Sequence, residues 1–175
     1  MKEIVVVERE IDSPADPEAM HRAEVAVRWC FEQYRVAYRY SFVGLDLCRC
    51  ASVYEAPDVE SLRIVQRSAG LPVARAWRAT LSGEPIEPAP GQSLIVALHA
   101  SSVTLEAPAI AARLTAAGPT LAGSSISSIV QAVACDGSRW LGVFSAPDVD
   151  AVGSACRALD LPATVWPSAL RLAQP

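Results

Sequence analysis

The stretch Val53-Tyr54-Glu55-Ala56-Pro57-Asp58-Val59 returns as Val143-Phe144-Ser145-Ala146-Pro147-Asp148-Val149, 90 residues further on. The same spacing carries Ile4-Val5-Val6-Val7 onto Leu94-Ile95-Val96-Ala97, Arg67 onto Arg157, and Leu71-Pro72 onto Leu161-Pro162. A fixed internal period constrains a fold before any other signal does, because each copy must be able to form the same supersecondary unit. The 175 residues therefore divide as unit 1 over 1–82, a Pro/Gly linker over 83–92, and unit 2 over 93–175.

Each copy reads in the same order. In the first, Glu3 to Glu10 is a β-rich run. Asp16-Pro17 opens an amphipathic helix over 17–33, with an acidic cap and a proline at the first helical position. Strands over 36–43 and 48–55 form a hairpin around Gly44-Leu45-Asp46. Asp58 caps a second helix over 58–69, Gly70 ends it, and a last strand covers 74–81. The second copy gives strand 93–99, helix 107–117 (shortened by Gly118-Pro119), strands 126–133 and 139–145, helix 148–158 and strand 163–171. The succession β-α-β-β-α-β is the ferredoxin-like split βαβ arrangement. The predicted fold class is α+β: two tandem ferredoxin-like units packed sheet to sheet as a pseudo-dimeric α+β barrel, because a sheet with helices on one face leaves the other face to be covered.

Composition narrows the function. Apolar residues make up 51% and the net charge is −4, which predicts a buried core and argues against nucleic acid. No apolar run reaches membrane-spanning length. Five cysteines without Cys-x-x-Cys spacing and without a secretion signal predict reduced thiols in the cytoplasm. The charge is uneven: 25 of the 34 Asp, Glu, Lys and Arg residues fall in the first 87 positions, as do all four tyrosines and His21. The first unit is therefore expected to bear the site and the second to be a degenerate, structural partner.

Tyr38, Tyr40 and Phe42 are expected to fall on one face, with Cys48, Cys50, Ser52 and Tyr54. These residues, with Trp140 and Phe144 from the second unit, are expected to line a ligand pocket between the two sheets. His21 and the strand-end carboxylate Glu10 complete the chemistry-bearing set. No phosphate loop, nucleophile elbow or Ser-His-Asp spacing is present.

Glu8-Arg9-Glu10, Ala19-Met20-His21-Arg22-Ala23-Glu24, Tyr38 to Val43, Val53 to Asp58 and Ala69-Gly70-Leu71-Pro72 together resemble a family of small bacterial ferredoxin-like proteins. That family was formerly a domain of unknown function and is now described as nickel-binding. The resemblance spans nearly all of 3–81 and, more faintly, 93–171. It implies a fused version of a unit that otherwise pairs as a homodimer, with pairing of two whole chains left open. It also implies nickel, with His21, Glu10 and Cys50 as the ligands. At the family's other histidine positions this chain has Tyr40, Val65 and Ala69, and Ser52 stands at its strand cysteine, so the family's imidazole set is mostly missing. Two readings follow. One is a small binding protein holding a metal ion or small molecule in the first unit. The other is a cofactor-independent enzyme of the dimeric α+β barrel type, an oxygenase, cyclase or isomerase, with His21, Tyr38 and Tyr40 as catalytic groups on a small apolar substrate.

Overall fold

The structure is a computed structural model, and the residues it describes are 2–12, 14, 16, 22–23, 25–71, 75–88 and 90–172. His21, Met20, Pro17 and Pro72 lie outside them. The elements are β1 (Glu3–Glu10), α1 (Arg28–Gln33), β2 (Ala37–Gly44), β3 (Arg49–Ala56), α2 (Val59–Ser68), β4 (Arg75–Gly83), β5 (Ser93–Ala100), α3 (Ala107–Gly123), β6 (Ser127–Ala134), β7 (Arg139–Ala146), α4 (Val149–Ala158) and β8 (Thr164–Leu172). This is a mixed α+β chain in two compact units, 1–79 with 171–175, and 80–170. No helix among the described residues is long and apolar enough to cross a membrane.

In the first unit β1 lies between β3 and β4, and β3 also pairs with β2, every pairing antiparallel. In the second, β5 lies between β7 and β8, and β7 pairs with β6. The helix-side core of the first unit gathers Val5, Val7 and Tyr54 from the sheet with Cys30, Leu62 and Val65 from α1 and α2. Its counterpart gathers Ile95, Ala97, Trp140 and Phe144 with Ile110, Val152 and Cys156.

The repeat extends into the backbone where the residues do not match. Left-handed residues occur at Arg35 and Ser125, Leu47 and Gly137, Gly70 and Asp160, each pair 90 apart. Both caps work alike: the carboxylates of Asp58 and Asp148 each accept from an N–H three residues on, at 2.7 Å.

Two expectations change. The helix expected to stop at 117 continues through Pro119 to Gly123. Proline removes one N–H from the ladder. The helix nevertheless carries Leu121 into the core, where it is buried, and the Leu121 carbonyl accepts from the Ile126 N–H at 2.8 Å. The period also slips by one in the last strand. Trp77 stands opposite Val6 and Trp166 opposite Val96, so 166 − 77 = 89 rather than 90.

Candidate functional site

A β-bulge decides which side chains meet. Tyr38 is opposite Tyr54, but Tyr40 is opposite Val53, with Arg39 as the extra residue between them. An extra residue moves everything beyond it to the other face. Tyr40 and Phe42 therefore leave the face that carries Tyr38, Cys50, Ser52 and Tyr54, contrary to the expected single aromatic wall. The second unit has the same bulge between Ser128 and Val130. Its Trp140 and Phe144 sit in that unit's own helix-side core.

On the helix side of the first sheet, three rows run across the strands: Arg9, Cys50 and Val43; Val7, Ser52 and Ser41; Val5, Tyr54 and Tyr38. Six of these nine side chains are polar or ionisable, and Gln66 of α2 completes the set. Arg9 donates from Nη1 to Ser52 Oγ at 3.1 Å and from Nη2 to Gln66 Oε1. Gln66 Nε2 donates to the Tyr54 hydroxyl at 3.2 Å. The Ser41 and Ser52 hydroxyls are 2.8 Å apart, and Tyr38 Oη is 2.9 Å from Ser41 Oγ. Tyr38 also donates to the carbonyl of Arg171 at 2.9 Å, and Cys50 Sγ is 3.3 Å from Ser52 Oγ. Arg9, Gln66, Ser41 and Ser52 are buried, while Tyr38 and Cys50 are half-buried. The network thus runs from a sealed guanidinium to two groups that solvent reaches.

Burial, more than its neighbours, raises the Tyr38 pKa well above its ordinary value of 10.0. The phenol is neutral at physiological pH and serves as a hydrogen-bond donor. Arg9 stays charged at any ordinary pH. The arrangement can hold a hydrogen-bond acceptor and stabilise negative charge on it. Among the described residues, the hydrogen bonds of this arrangement involve no carboxylate and no imidazole.

The second unit does not repeat this chemistry. The positions of Arg9, Ser41, Cys50, Ser52 and Gln66 are taken by His99, Gln131, Trp140, Gly142 and Cys156. Trp140 is fully buried and its Nε1 donates to Gln131 Oε1 at 2.6 Å. Its ring passes over Gly142, where an added Cβ would come within 2.4 Å of it. Burial pushes the Cys156 thiol up to about 11, and His99 Nδ1 turns to the Pro162 carbonyl at 2.5 Å.

The metal set expected from the family resemblance does not converge. Glu10 pairs with Arg49 and Cys50 with Arg9, so Glu10 and Cys50 leave opposite faces of the sheet. Glu10 is exposed and accepts from Arg49 at 3.2 Å. Among the described residues no three His, Cys, Asp or Glu side chains come together as a metal site. Glu10 and Cys50 by themselves do not form a nickel site, and His21, the third expected ligand, lies outside the described residues.

Sequence reading missed Arg9, Ser41 and Gln66. The signal for Arg9 was alternation, since Val5, Val7 and Arg9 share a parity. Gln66 occupies a core position of α2, four residues after Leu62. The face opposite the helices carries a buried acid, Glu8. Glu8 accepts from Trp77 Nε1 at 2.6 Å and stands opposite Arg75. Burial raises the Glu8 pKa above 4.5, against the Trp77 hydrogen bond and Arg75, which lower it. The folded state then holds the proton more tightly than the unfolded chain, so stability falls as pH rises through the window above 4.5. Glu8→Gln keeps an acceptor for Trp77 and is expected to be more stable than wild type at pH 7. At pH 4 the two proteins should unfold alike. Urea titrations at both pH values check this, and a less stable variant at pH 7 would refute it.

No protein-family model matches the chain, and no curated protein matches it significantly. Solved structures do match. A mutant chlorite dismutase from Candidatus Nitrospira defluvii aligns with a TM-score of 0.51 at 10% identity, over 96% of this chain and 91% of that one. TA0507, a chlorite dismutase by provisional assignment, aligns at 0.50 and 12%, over 97% and 94%. A provisionally assigned monooxygenase from Lactobacillus acidophilus NCFM covers 99% and 96% at 7% identity, with a TM-score of 0.47. At such identities the likeness is one of fold: this chain has an α+β fold similar to that of the chlorite dismutases.

Proposed function

We propose that the chain is two ferredoxin-like units in tandem and that the first is a small-molecule site of the cofactor-independent enzyme type, acting on a compact apolar molecule through a carbonyl oxygen. The observation that carries this reading is the Arg9–Ser52–Ser41–Tyr38 network, built in the first unit and replaced by Trp140 over Gly142 in the second. Oxygenase, cyclase and isomerase chemistry without a cofactor shares one demand, the stabilisation of charge that develops on an oxygen. A neutral Tyr38 phenol at the solvent-reached end of the network meets it. His21, which precedes α1 and lies outside the described residues, is the candidate base. The similar solved structures support the fold, and the activity rests on the site.

The test is exchange of the α-protons of 2-tetralone into deuterated water, followed by NMR. The protein should accelerate it, and Tyr38→Phe should lower that acceleration roughly a hundredfold, as for loss of one oxyanion donor. Exchange no faster than in buffer would end this reading.

A further inference from the structure

We propose that the second unit carries a binding crevice of its own, between α3 and α4, for a compact uncharged apolar molecule with a single acceptor oxygen. The crevice holds about 430 Å³, within the range of small-molecule sites. Its floor is Leu121, Ile126 and Leu159, all buried. Its walls are small, with Ala117 on α3 and Ala151 and Ala155 on α4.

The first unit shows what the same fold does with this space. Backbone bonds hold both walls in register at 90 residues. The Ile126 N–H donates to the Leu121 carbonyl at 2.8 Å, as Val36 does to Phe31 at 2.9 Å. Leu159 donates to Ala155, and Ala69 to Val65, both at 3.0 Å. The first unit places Val27, Phe31, Tyr34, Ile64 and Val65 where the second has Ala117, Leu121, Ser124, Ser154 and Ala155. There Phe31 and Tyr34 pack against the core, and Val65 is fully buried. The second unit enlarges the floor instead, with Ile126 for Val36 and Leu159 for Ala69. The space is therefore not forced by the backbone. It follows from small side chains over an apolar floor, at positions where the fold accepts large ones.

The lining sets the ligand class. None of the ten side chains around the crevice is charged. It runs to the C-terminal ends of both helices, at Gly123 and Ala158, where the macrodipoles present partial negative charge. An anion is disfavoured there, and the lining offers a cation no carboxylate. The helix ends are also occupied: Ser124 and Ile126 close α3, Leu159 and Leu161 close α4, and Arg113 Nη1 donates to the Leu159 carbonyl at 3.1 Å. Three exposed hydroxyls stand at the mouth, those of Thr120, Ser124 and Ser154. Ser154 Oγ accepts from Arg157 Nη2 at 3.0 Å, so what it offers a ligand is its O–H. Arg157 is itself exposed and complements the dipole in the last turn of α4.

Titration of the full chain with 2-decanone and with decanoate at pH 7, followed by methyl NMR, tests this. The ketone should move the Leu121, Ile126 and Leu159 methyl signals and saturate. Only second-unit signals are read, so a ligand held by the first unit does not count. Decanoate should bind about tenfold more weakly, the scale of two opposing helix ends. Ser124→Tyr and Ala155→Val each restore a side chain that the first unit carries at that position. Ser124→Tyr should weaken the ketone about tenfold or more by filling the mouth, and Ala155→Val should weaken it less. Neither should lower the thermal midpoint, because both fill open space. If Ser124→Tyr does not fold, Ala155→Val decides. No saturable shift in the second unit overturns the site. Ketone binding that is unchanged in both variants overturns the location. Decanoate bound as tightly as the ketone overturns the ligand class.

Discussion

Gly142→Ala is expected to destabilise the second unit by about 3 kcal/mol and to lower the unfolding midpoint by roughly 6–12 °C. The alanine Cβ would stand 2.4 Å from Trp140 Cζ2 and 2.8 Å from Phe144 Cε2. Neither ring has room to retreat: both are at most 1% exposed, and they pack edge to face with centroids 6.2 Å apart. Moving Trp140 would also break its 2.6 Å hydrogen bond to Gln131 and leave a buried indole N–H without that acceptor. In the first unit the same position is Ser52, with Cys50 two residues earlier instead of a tryptophan, so Ser52→Ala meets no such clash and its cost is instead the loss of an acceptor for Arg9. Thermal unfolding followed by tryptophan fluorescence compares the two. A Gly142→Ala protein as stable as wild type would mean that the ring does not lie over this glycine.

The Trp140–Gly142 pair also marks how far the sequence speaks. The Ala-Pro-Asp caps are local signals, set by hydrogen bonds three residues long, and the 90-residue period repeats them, so together they place most elements within a residue or two of where they lie. The bulge at Arg39 has no such signal. No glycine or proline marks it, and strand parity beyond it reverses unannounced. That single extra residue separates Tyr40 and Phe42 from Tyr38 and breaks the expected pocket list. The one-residue slip that aligns Trp77 with Trp166 is hidden for the same reason, since it depends on which strand stands opposite. Tyr38, Cys50, Ser52 and Tyr54 were legible as a group because β3 runs without interruption. Arg9 and Gln66 were not, because charge and amide in a core position read as surface until a partner is seen.

Gln66→Leu is expected to cost about 2–3 kcal/mol, although leucine is apolar and close in size. Gln66 is fully buried and serves two partners, accepting from Arg9 Nη2 and donating to Tyr54. Leucine removes an acceptor from a buried cation, and that loss outweighs any gain in apolar burial. Removing the cation as well should recover part of the loss, because replacing both partners of a buried polar contact by apolar groups leaves neither one stranded. Arg9→Leu with Gln66→Leu should therefore be more stable than the sum of the two single changes predicts, with a coupling of about 2 kcal/mol. The second unit shows that the fold itself does not need this contact, since His99 and Cys156 stand at these positions there. A network that the fold can dispense with, kept where solvent meets its far end, is what a site would retain at some expense of stability. Urea unfolding of the four proteins in the cycle measures the coupling. Additive effects within about 0.3 kcal/mol would show that Arg9 and Gln66 act independently, and the guanidinium would then lose its anchor to α2 and its place at the head of the network.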